Sequence, residues 1–379
     1  MLPAPDALPA AAPSASPGAA PLETLTACPL CGAAESRAWV EGFDRLHRID
    51  ARRFTYRRCA SCRLVYLSPR PTAQAIGAYY PHDYGPYQIA AAAAAAAAGT
   101  AAASAAATAA AAPSAPAAPL DPKRSWPRAG PTLRRLGLPA ARALNGALRL
   151  LLRDRADREL KHFYKPSRPG LKLMDFGCGS EKWLNHAKKL GYAAAVGVDF
   201  SPQVIERVRA AGHEGHVNGP GLWEAIAPGS LDLIRLNHVL EHLYEPQQVL
   251  TRLIERLAPG GRLHLALPNP DSLSARWFKS RWFSLDCPRH VMLFSPQRTR
   301  QFIEALGLRD VTLLHETVTK DIARSIGYGC IDRGELPADR VEALMHDELL
   351  AELAWLPARV AALLGRADRF HLLARKEGA

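Results

Sequence analysis

Apolar residues in the C-terminal half of the chain alternate between short continuous runs and helical patterns. The runs predict strands at Leu171–Phe176, Ala195–Phe200, Leu231–Leu236 and Arg262–Leu267. Between the strands, the spacing predicts a helix up to Leu190, a helix at Pro202–Ala211 and a helix that ends at the turn Pro259-Gly260-Gly261. Strands that alternate with helices of about ten to fifteen residues predict a parallel sheet with helices on both faces.

The alternation stops after Pro268. The rest of the chain predicts a helix at Ser295–Leu306, a strand at Val311–Thr319, a helical region and a short apolar run at Phe370–Ala374. Two late strands separated by helices suit an antiparallel edge on a parallel sheet. The intervening loop contains three aromatic residues that either form a local core, which we favour, or wall a substrate pocket: Trp277, Trp282 and Phe283.

The N-terminal part divides by composition. Residues 1–21 form a Pro/Ala tail that we expect to be disordered, and residues 22–89 form a compact unit rich in aromatics, Arg and Cys. Residues 90–122 form an Ala/Pro-rich linker without a face to bury. In residues 123–170 the leucines recur at helical spacing among arginines, which predicts a basic amphipathic helix from Pro131 to Tyr164. Residues 171–379 form the last predicted domain.

Charge is unevenly distributed along the chain. The 379 residues include 48 Lys+Arg against 36 Asp+Glu, and 48% are hydrophobic, which is typical of a globular protein. Residues 121–170 have a net charge of +9, whereas residues 171–379 have a net charge of only +1. A nearly neutral domain argues against nucleic acid as a partner. The first twenty residues lack Lys, Arg and a Leu-rich core, so they do not resemble a secretory signal, and we expect a cytoplasmic protein.

Four of the seven cysteines form two C-x2-C pairs. Cys28 and Cys31 make the first pair, and Cys59 and Cys62 make the second. Two such turns suit tetrahedral Zn²⁺, and a shell of four thiolates is structural because it leaves no position open for catalysis. The alternatives are a cluster of buried free cysteines or a redox C-x-x-C. Gly32 follows the first pair and Arg63 the second, so we expect the second turn to be less regular.

A glycine turn follows the first predicted strand of the sheet. The segment Asp175-Phe176-Gly177-Cys178-Gly179-Ser180-Glu181 ends that strand and opens a helix, where backbone N–H groups hold ligands in α/β proteins. The dinucleotide pattern G-x-G-x-x-G would need glycine where the chain has Lys182, which disfavours hydride chemistry. Asp199 ends the next strand, where a carboxylate binds ribose hydroxyls or caps the following helix.

Four segments in the same order resemble class I S-adenosylmethionine-dependent methyltransferases. They are LKLMDFGCGSEKWL, AAAVGVDFSPQVIERVRAAG, LDLIRLNHVLEHLYEP and LAPGGRLHLALPN. The leading CPLCG, CRLVYLSPRPT and AYYPHDY are similar to the zinc-binding module of a bacterial subgroup associated with sugar, polysaccharide and natural-product methylation. The resemblance implies a seven-stranded, mostly parallel Rossmann-like sheet, with S-adenosyl-L-methionine over the ends of its first, second and fourth strands.

The resemblance also implies a set of cofactor-binding residues. They are Asp175, Gly177, Cys178, Gly179, Asp199, Phe200, Asn237 and His238. The family pattern often has a third glycine where this chain has Glu181. An acidic side chain there would repel the methionine carboxylate unless it turned outward beside Lys182.

Candidate catalytic residues follow the fourth and fifth strands. Methyl transfer to oxygen benefits from a general base, and histidine is the usual base near neutral pH. The candidates are His238, Glu241, His242 and His290. Each also has a structural interpretation, because Glu241 and His242 could satisfy a helix start and His290 could hold its loop. The sequence Asn237-His238-Val239-Leu240 lacks the Asn-Pro-Pro-Tyr pattern that amino-methylating members often have.

The leading functional hypothesis is therefore methylation of a small acceptor, a sugar nucleotide or a glycan or natural-product precursor. One alternative is a ribosomal RNA methyltransferase, favoured by the zinc ribbon and the basic segment. Another is a non-catalytic scaffold on a degenerate methyltransferase fold, suggested by Glu181. We also expect residues 131–164 to contact an anionic membrane surface through the arginine-rich helix. Nothing in the sequence indicates an oligomeric state.

Overall fold

The computed structural model describes residues 20–45, 47–80, 131–219, 221–335, 341–344 and 346–378. The tail predicted for residues 1–21 lies outside the described residues except for its last two. The linker predicted for residues 90–122 lies wholly outside them. The division of the chain into five segments therefore stays a prediction.

The described residues form thirteen strands and eleven α-helices. The strands are β1 (Leu22–Glu23), β2 (Ser36–Gly42), β3 (Phe54–Cys59), β4 (Val65–Leu67), β5 (Arg70–Pro71), β6 (Lys172–Phe176), β7 (Ala194–Asp199), β8 (Glu214–Val217), β9 (Leu231–Asn237), β10 (Leu257–Pro268), β11 (Met292–Leu293), β12 (Leu308–Glu316) and β13 (Arg369–Lys376). The helices are α1 (Pro131–Leu151), α2 (Ala156–Tyr164), α3 (Lys182–Leu190), α4 (Pro202–Ala210), α5 (Leu222–Ala225), α6 (Pro246–Arg256), α7 (Leu273–Phe278), α8 (Pro296–Ala305), α9 (Thr319–Asp332), α10 (Val341–Leu344) and α11 (Glu348–Leu363).

Seven strands form the central sheet in the order β12-β13-β10-β9-β6-β7-β8. The five strands from β10 to β8 are parallel, and β13 is antiparallel to both β10 and β12. The predicted fold class and its antiparallel edge are confirmed. Because the carboxyl ends of β6, β7 and β9 share one edge of the sheet, the glycine turn, Asp199 and Asn237 lie at that edge.

Local signals set the ends of the helices on this sheet. Ser201 caps α4 by accepting a hydrogen bond from the Val204 N–H, and Pro202 occupies the first turn. Gly191 adopts a left-handed conformation after α3, as helix-ending glycines commonly do. The helix before β10 ends at Arg256 rather than at Pro259-Gly260-Gly261, because Leu257 already pairs with β9 and the glycines lie in an irregular part of β10.

The single helix predicted from Pro131 to Tyr164 is two helices, separated by residues 152–155. Arg359 from α11 donates hydrogen bonds to the backbone carbonyls of Leu152 at 2.9 Å and Arg153 at 2.5 Å. These bonds satisfy carbonyl groups that the end of α1 leaves without helical partners. The prediction of one continuous helix is wrong because a distant arginine stabilises the break.

Helix α1 leaves part of its apolar face uncovered. Leu144, Leu150 and Leu151 are exposed, although α1 also packs against α11, where Asn145 donates to the Glu352 carboxylate at 2.7 Å. Among the described residues, no helix has both the length and the apolar character needed to cross a membrane. Contact of residues 131–164 with a membrane surface stays a prediction.

The N-terminal unit forms a four-stranded sheet in the order β11-β4-β3-β2. Strand β11 comes from the loop that follows β10, so the two parts of the chain share one small sheet. Trp282 from this loop is buried in the same core as Phe54 and Tyr56. The predicted core role is thus confirmed for Trp282, whereas it is wrong for Trp277, which is 84% exposed because its helix α7 presents it to solvent.

Candidate functional site

The four cysteines of the C-x2-C pairs converge in the N-terminal unit. Their sulfur atoms all lie within 4.8 Å of one another. Cys28 Sγ lies 3.5 Å from Cys62 Sγ, and Cys31 Sγ lies 3.7 Å from Cys59 Sγ. The hydrogen bond from the Cys62 thiol lowers the pKa of Cys28 to about 5, against the effect of burial. Four converging sulfurs, one of them stabilised as thiolate, fit the ligand set of a structural Zn²⁺ site.

Both cysteine turns have the same backbone form. Gly32 and Arg63 each have a positive φ, 72° and 62°. The Cys28 N–H donates to the Ala33 carbonyl at 2.8 Å, and the Cys59 N–H donates to the Leu64 carbonyl at 2.9 Å. The expectation that the second turn is less regular is wrong, because Arg63 accepts the left-handed conformation that glycine adopts in the first.

The glycine turn brings β6 close to the strand end of β9. Gly177 and Gly179 have φ values of 75° and 62°, which favour glycine. A Cβ atom on Gly177 would lie 2.4 Å from Val239 Cγ2, so no larger residue fits there without movement. The N–H groups of Gly177 and Cys178 both donate to the Val198 carbonyl, which holds the turn against β7.

Asp199 connects the glycine turn to the start of α4. Its Oδ2 accepts a hydrogen bond from the Gly179 N–H at 2.9 Å, and its Oδ1 accepts one from the Ser201 N–H at 3.0 Å. The carboxylate is nearly buried, and burial raises its pKa. Since Ser201 provides the helix cap, Asp199 is held at the wall of the cavity described next rather than used as a cap.

A cavity of about 570 Å³ lies at the carboxyl edge of the sheet. Its wall includes residues of the glycine turn and its neighbours, here called the glycine end: Gly177, Cys178, Gly179, Asp199, Phe200 and Asn237. It also includes a second group from later in the chain, here called the histidine end: His238, His242, Phe283, Asp286 and His290. The volume is in the range of small-molecule sites, and predicted residues from both groups thus face one space.

Asp175 departs from the prediction. It is fully buried, its Oδ1 accepts a hydrogen bond from Arg235 Nη1 at 2.7 Å, and it does not line the cavity. Burial raises the pKa of Asp175, although Arg235 opposes the shift. Arg235 lines the cavity in its place, with its guanidinium 4.5 Å from the centre of the Trp183 ring. Asp175 is thus paired with an arginine on the neighbouring strand β9 instead of facing the cavity.

Glu181 lies outside the cavity at the start of α3. Burial, followed by the charge of Lys188, lowers the pKa of His213, and the charge of Glu181 opposes this shift. Lys182, the next residue, lines the cavity. The acidic side chain is therefore not part of the wall of the space where a cofactor would lie.

His238 and Glu241 form a hydrogen-bonded pair after β9. Glu241 is fully buried, and its Oε1 lies 3.2 Å from His238 Nδ1. Because a carboxylate only accepts, the Nδ1–H of His238 donates and its Nε2 is left as the acceptor. His238 has a φ of 57°, an uncommon conformation for histidine that is typical of functional sites.

The rings of His242 and His290 pack edge to face beside the cavity, with ring centres 4.6 Å apart and an angle of 73° between the ring planes. His242 Nδ1 lies 3.0 Å from the Arg289 carbonyl and 2.9 Å from the Tyr80 hydroxyl. His290 Nδ1 lies 2.8 Å from the Ser284 carbonyl. The loop that follows β10 thus contributes a buried histidine to the cavity wall.

Burial controls the charges of this group. It lowers the pKa of His238, and with the nearby His290 it lowers the pKa of His242 to about 4. Burial alone would raise the pKa of Glu241, but the hydrogen bond and charge of His238 bring it to about 2. Near pH 7 His238 and His242 are therefore neutral and Glu241 is charged.

Several residues of the cavity were not predicted from the sequence. Arg235, Trp183 and Asp286 line it, and Tyr80 reaches it from the N-terminal unit, with its ring 5.6 Å from the Phe200 ring centre. Tyr80 belongs to the segment AYYPHDY, so the sequence carried a signal for its importance but not for its place.

Comparison with known proteins identifies one domain. Residues 148–313, less than half of the chain, match the family model described as a methyltransferase domain. The ribosomal protein L11 methyltransferase of Ralstonia pickettii is 36% identical over 100 residues, which are 26% of this chain and 32% of that protein. The mitochondrial ubiquinone biosynthesis O-methyltransferase of Schizosaccharomyces pombe is 29% identical over 145 residues, 35% of this chain and 48% of that protein.

The similarity covers only part of these relatives. The chain spans about a third of the first protein's length and about half of the second's. Among solved structures, a SAM dependent methyltransferase from Archaeoglobus fulgidus matches with 18% identity and a TM-score of 0.38, covering 58% of this chain and 90% of that chain.

Proposed function

We propose, from the methyltransferase domain at residues 148–313, that this chain transfers a methyl group from S-adenosyl-L-methionine to a small acceptor. The acceptor proposed is a hydroxyl of a sugar nucleotide or of a glycan or natural-product precursor. The observation that carries the proposal is the cavity whose wall contains both the glycine turn with Asp199 and a cluster of histidines, within a chain that has a methyltransferase domain.

The glycine end suits the cofactor. Gly177, Cys178 and Gly179, which line the cavity, would lie close to its methionine part. The carboxylate of Asp199, already fixed by two backbone N–H groups, would accept hydrogen bonds from the ribose hydroxyls. Phe200 would flank the adenine, and the positive charge of Arg235 would attract the methionine carboxylate.

The histidine end suits the acceptor. The sulfonium of the bound cofactor supplies an activated methyl group, so the protein must position a nucleophile and exclude water. The acceptor oxygen bonds to the methyl carbon as the bond from that carbon to sulfur breaks. The hydroxyl proton passes to His238 Nε2, whose ring Glu241 orients through Nδ1.

The four-cysteine cluster is proposed to hold structural Zn²⁺. Cys28, Cys31, Cys59 and Cys62 would close its tetrahedral shell, and the ion would hold together the unit from which Tyr80 reaches the cavity. A sugar acceptor is supported by the resemblance of this unit to modules of sugar-methylating enzymes. It is also supported by the nearly neutral charge of residues 171–379, which does not favour RNA.

A methyl-transfer assay tests the proposal. Purified protein and methyl-labelled S-adenosylmethionine are incubated in two separate reactions. One contains a mixture of nucleotide sugars, and the other contains ribosomal RNA. We expect label in the sugar fraction, and a roughly 100-fold slower rate in His238→Gln, as for loss of a general base. The control His346→Gln changes an exposed histidine and should leave the rate unchanged. Label in RNA alone would overturn the proposed acceptor in favour of the RNA alternative.

A further inference from the structure

Three side chains near the histidine end of the cavity converge on one point. One carboxylate oxygen of Glu241 and one ring nitrogen each of His242 and His290 lie within 4.8 Å of one another. Glu241 is completely buried, and its Oε2 has no hydrogen-bond partner among the described residues. A buried carboxylate oxygen without a partner is costly, and a bound ion or water molecule would satisfy it.

The backbone sets both histidine rings in the same way. Each Nδ1 lies against a carbonyl oxygen, that of Arg289 for His242 and that of Ser284 for His290. A carbonyl only accepts hydrogen bonds, so each Nδ1 carries the proton and each Nε2 carries a lone pair. Histidine ligands of metal ions characteristically donate their other N–H to a carbonyl or carboxylate in this manner.

The spacing of the groups leaves room for an ion. His290 Nε2 lies 3.9 Å from Glu241 Oε1 and 3.9 Å from Asp286 Oδ2, too far for hydrogen bonds. Ligand atoms bound to one ion at about 2.0–2.2 Å lie roughly 3–4 Å apart. His290 is therefore spaced from these carboxylates like a ligand of the same ion rather than like a hydrogen-bond partner, and the ring nitrogen of His242 lies within 4.8 Å of the same group.

We propose that Glu241, His242 and His290 bind one divalent first-row transition metal ion. Two imidazoles and one carboxylate on one side of an ion leave its other positions open. His242 and His290 line the cavity, so the open positions would face it. Resting on the proposed function, we assign these positions to an acceptor oxygen, which the ion would polarise beside His238.

Ligand type separates this site from the four cysteines. Thiolates select Zn²⁺, whereas nitrogen and oxygen ligands also bind Mn²⁺.

The experiment is a titration with Mn²⁺ of zinc-loaded full-length protein that has been dialysed against a weak chelator. The concentration of free Mn²⁺ is measured by electron paramagnetic resonance. We expect one Mn²⁺ bound per chain, and at least tenfold weaker binding in Glu241→Gln and in His290→Gln. The control Glu224→Gln, which removes an exposed carboxylate, should bind Mn²⁺ like the parent protein.

Binding of S-adenosylhomocysteine, measured on the same samples, separates the two proposals and shows that each variant is folded. A parent protein that binds S-adenosylhomocysteine but no Mn²⁺ overturns the metal site alone. Mn²⁺ binding that Glu241→Gln and His290→Gln leave unchanged also overturns it. Mn²⁺ binding that these variants weaken, in a protein without affinity for S-adenosylhomocysteine, supports the metal site and contradicts the proposed cofactor.

Discussion

Gly177 has two separate reasons to be glycine. Its φ of 75° is unfavourable for any residue with a Cβ atom, and a Cβ would lie 2.4 Å from Val239 Cγ2. Gly212 has nearly the same φ, 77°, but open space around the corresponding position. The two glycines therefore allow the backbone cost and the packing cost to be measured separately.

We expect Gly212→Ala to destabilise the protein by about 1–2 kcal/mol, the cost of the left-handed backbone. Gly177→Ala should cost about 1–3 kcal/mol more because Val239 must move. It should also weaken cofactor binding, because the turn faces the cavity. Urea unfolding and calorimetry measure the two effects, and Gly177→Ala combined with Val239→Ala should recover part of the loss. Equal destabilisation by both single variants would contradict the close contact with Val239.

His264 is a buried, neutral histidine on β10. It is 2% exposed, its Nδ1 is hydrogen-bonded to the Tyr164 hydroxyl, and its Nε2 lies 2.9 Å from His371 Nδ1. Burial, followed by the charges of His371 and Arg235, lowers its pKa well below the ordinary value. The unfolded chain therefore binds a proton at this histidine at higher pH than the folded chain does.

This difference predicts a pH dependence of stability. The stabilising contribution of neutral His264 is complete above about pH 6.5, the pKa of unfolded histidine, and is lost as the pH falls below it. Between pH 6.5 and 5.5 the free energy of unfolding should fall more steeply in the parent protein than in His264→Gln, by about 1 kcal/mol per pH unit. Urea titrations at each pH measure this free energy, with His346→Gln, at an exposed histidine, as the control. Equal pH dependences in the parent protein and in His264→Gln would refute the prediction.

Individual site residues differed in how far the sequence could place them. Asp199 was predictable because strand ends on one edge of a parallel sheet meet at the ligand. Arg235 was not, because its role depends on pairing across β6 and β9, where it lies opposite Asp175. No local pattern reports that an arginine on the next strand will neutralise a motif carboxylate.

At the scale of elements, the central strands were predictable because they are continuous apolar runs. Strand β8 was missed, since its four residues Glu214–Val217 include only one that is buried. The break between α1 and α2 was missed for another reason, because Arg359 stabilises it from about 200 residues away. Elements with their own hydrophobic pattern are predictable, whereas those defined by distant contacts are not.

The cysteine turns are the elements with the most direct test. After dialysis against a weak chelator, Cys62→Ser should reduce the zinc content from one ion per chain to nearly none, because three thiolates no longer close the shell. It should also lower the melting temperature. Cys330→Ser changes a buried cysteine outside the cluster and should keep the zinc. Metal analysis by mass spectrometry decides the question. A parent protein without zinc after expression in zinc-supplemented medium would exclude the site.

At the scale of the whole molecule, a buried arginine joins the N-terminal unit to the cavity loop. Arg289 is 1% exposed, and its Nη2 donates to Asp44 at 3.1 Å and to Asp286 at 2.6 Å. Its Nη1 donates to the carbonyl of Tyr79, next to the Tyr80 that lines the cavity. The cysteine unit is thus tied to the acceptor end of the site through a charged contact.

Removing Arg289 should leave the carboxylates of Asp44 and Asp286 without the positive charge of its guanidinium group. We expect Arg289→Met to lower the free energy of unfolding by about 3–5 kcal/mol. Arg158→Met, at an exposed arginine 3.8 Å from Glu159, should change it by less than about 1 kcal/mol. Combining Arg289→Met with Asp44→Asn should restore part of the loss in urea unfolding. Similar stabilities for both arginine variants would mean that the two parts of the chain are joined by other contacts.

The central claim is that the glycine end of the cavity binds S-adenosylmethionine, and calorimetric titration with the product S-adenosylhomocysteine tests it most directly. We expect micromolar affinity, weakened about 10- to 100-fold in Asp199→Ala through loss of a charged hydrogen-bond acceptor. Asp157→Ala, at an exposed aspartate on α2, should bind like the parent protein. A folded, zinc-loaded protein without measurable binding would contradict the account and favour a non-catalytic scaffold.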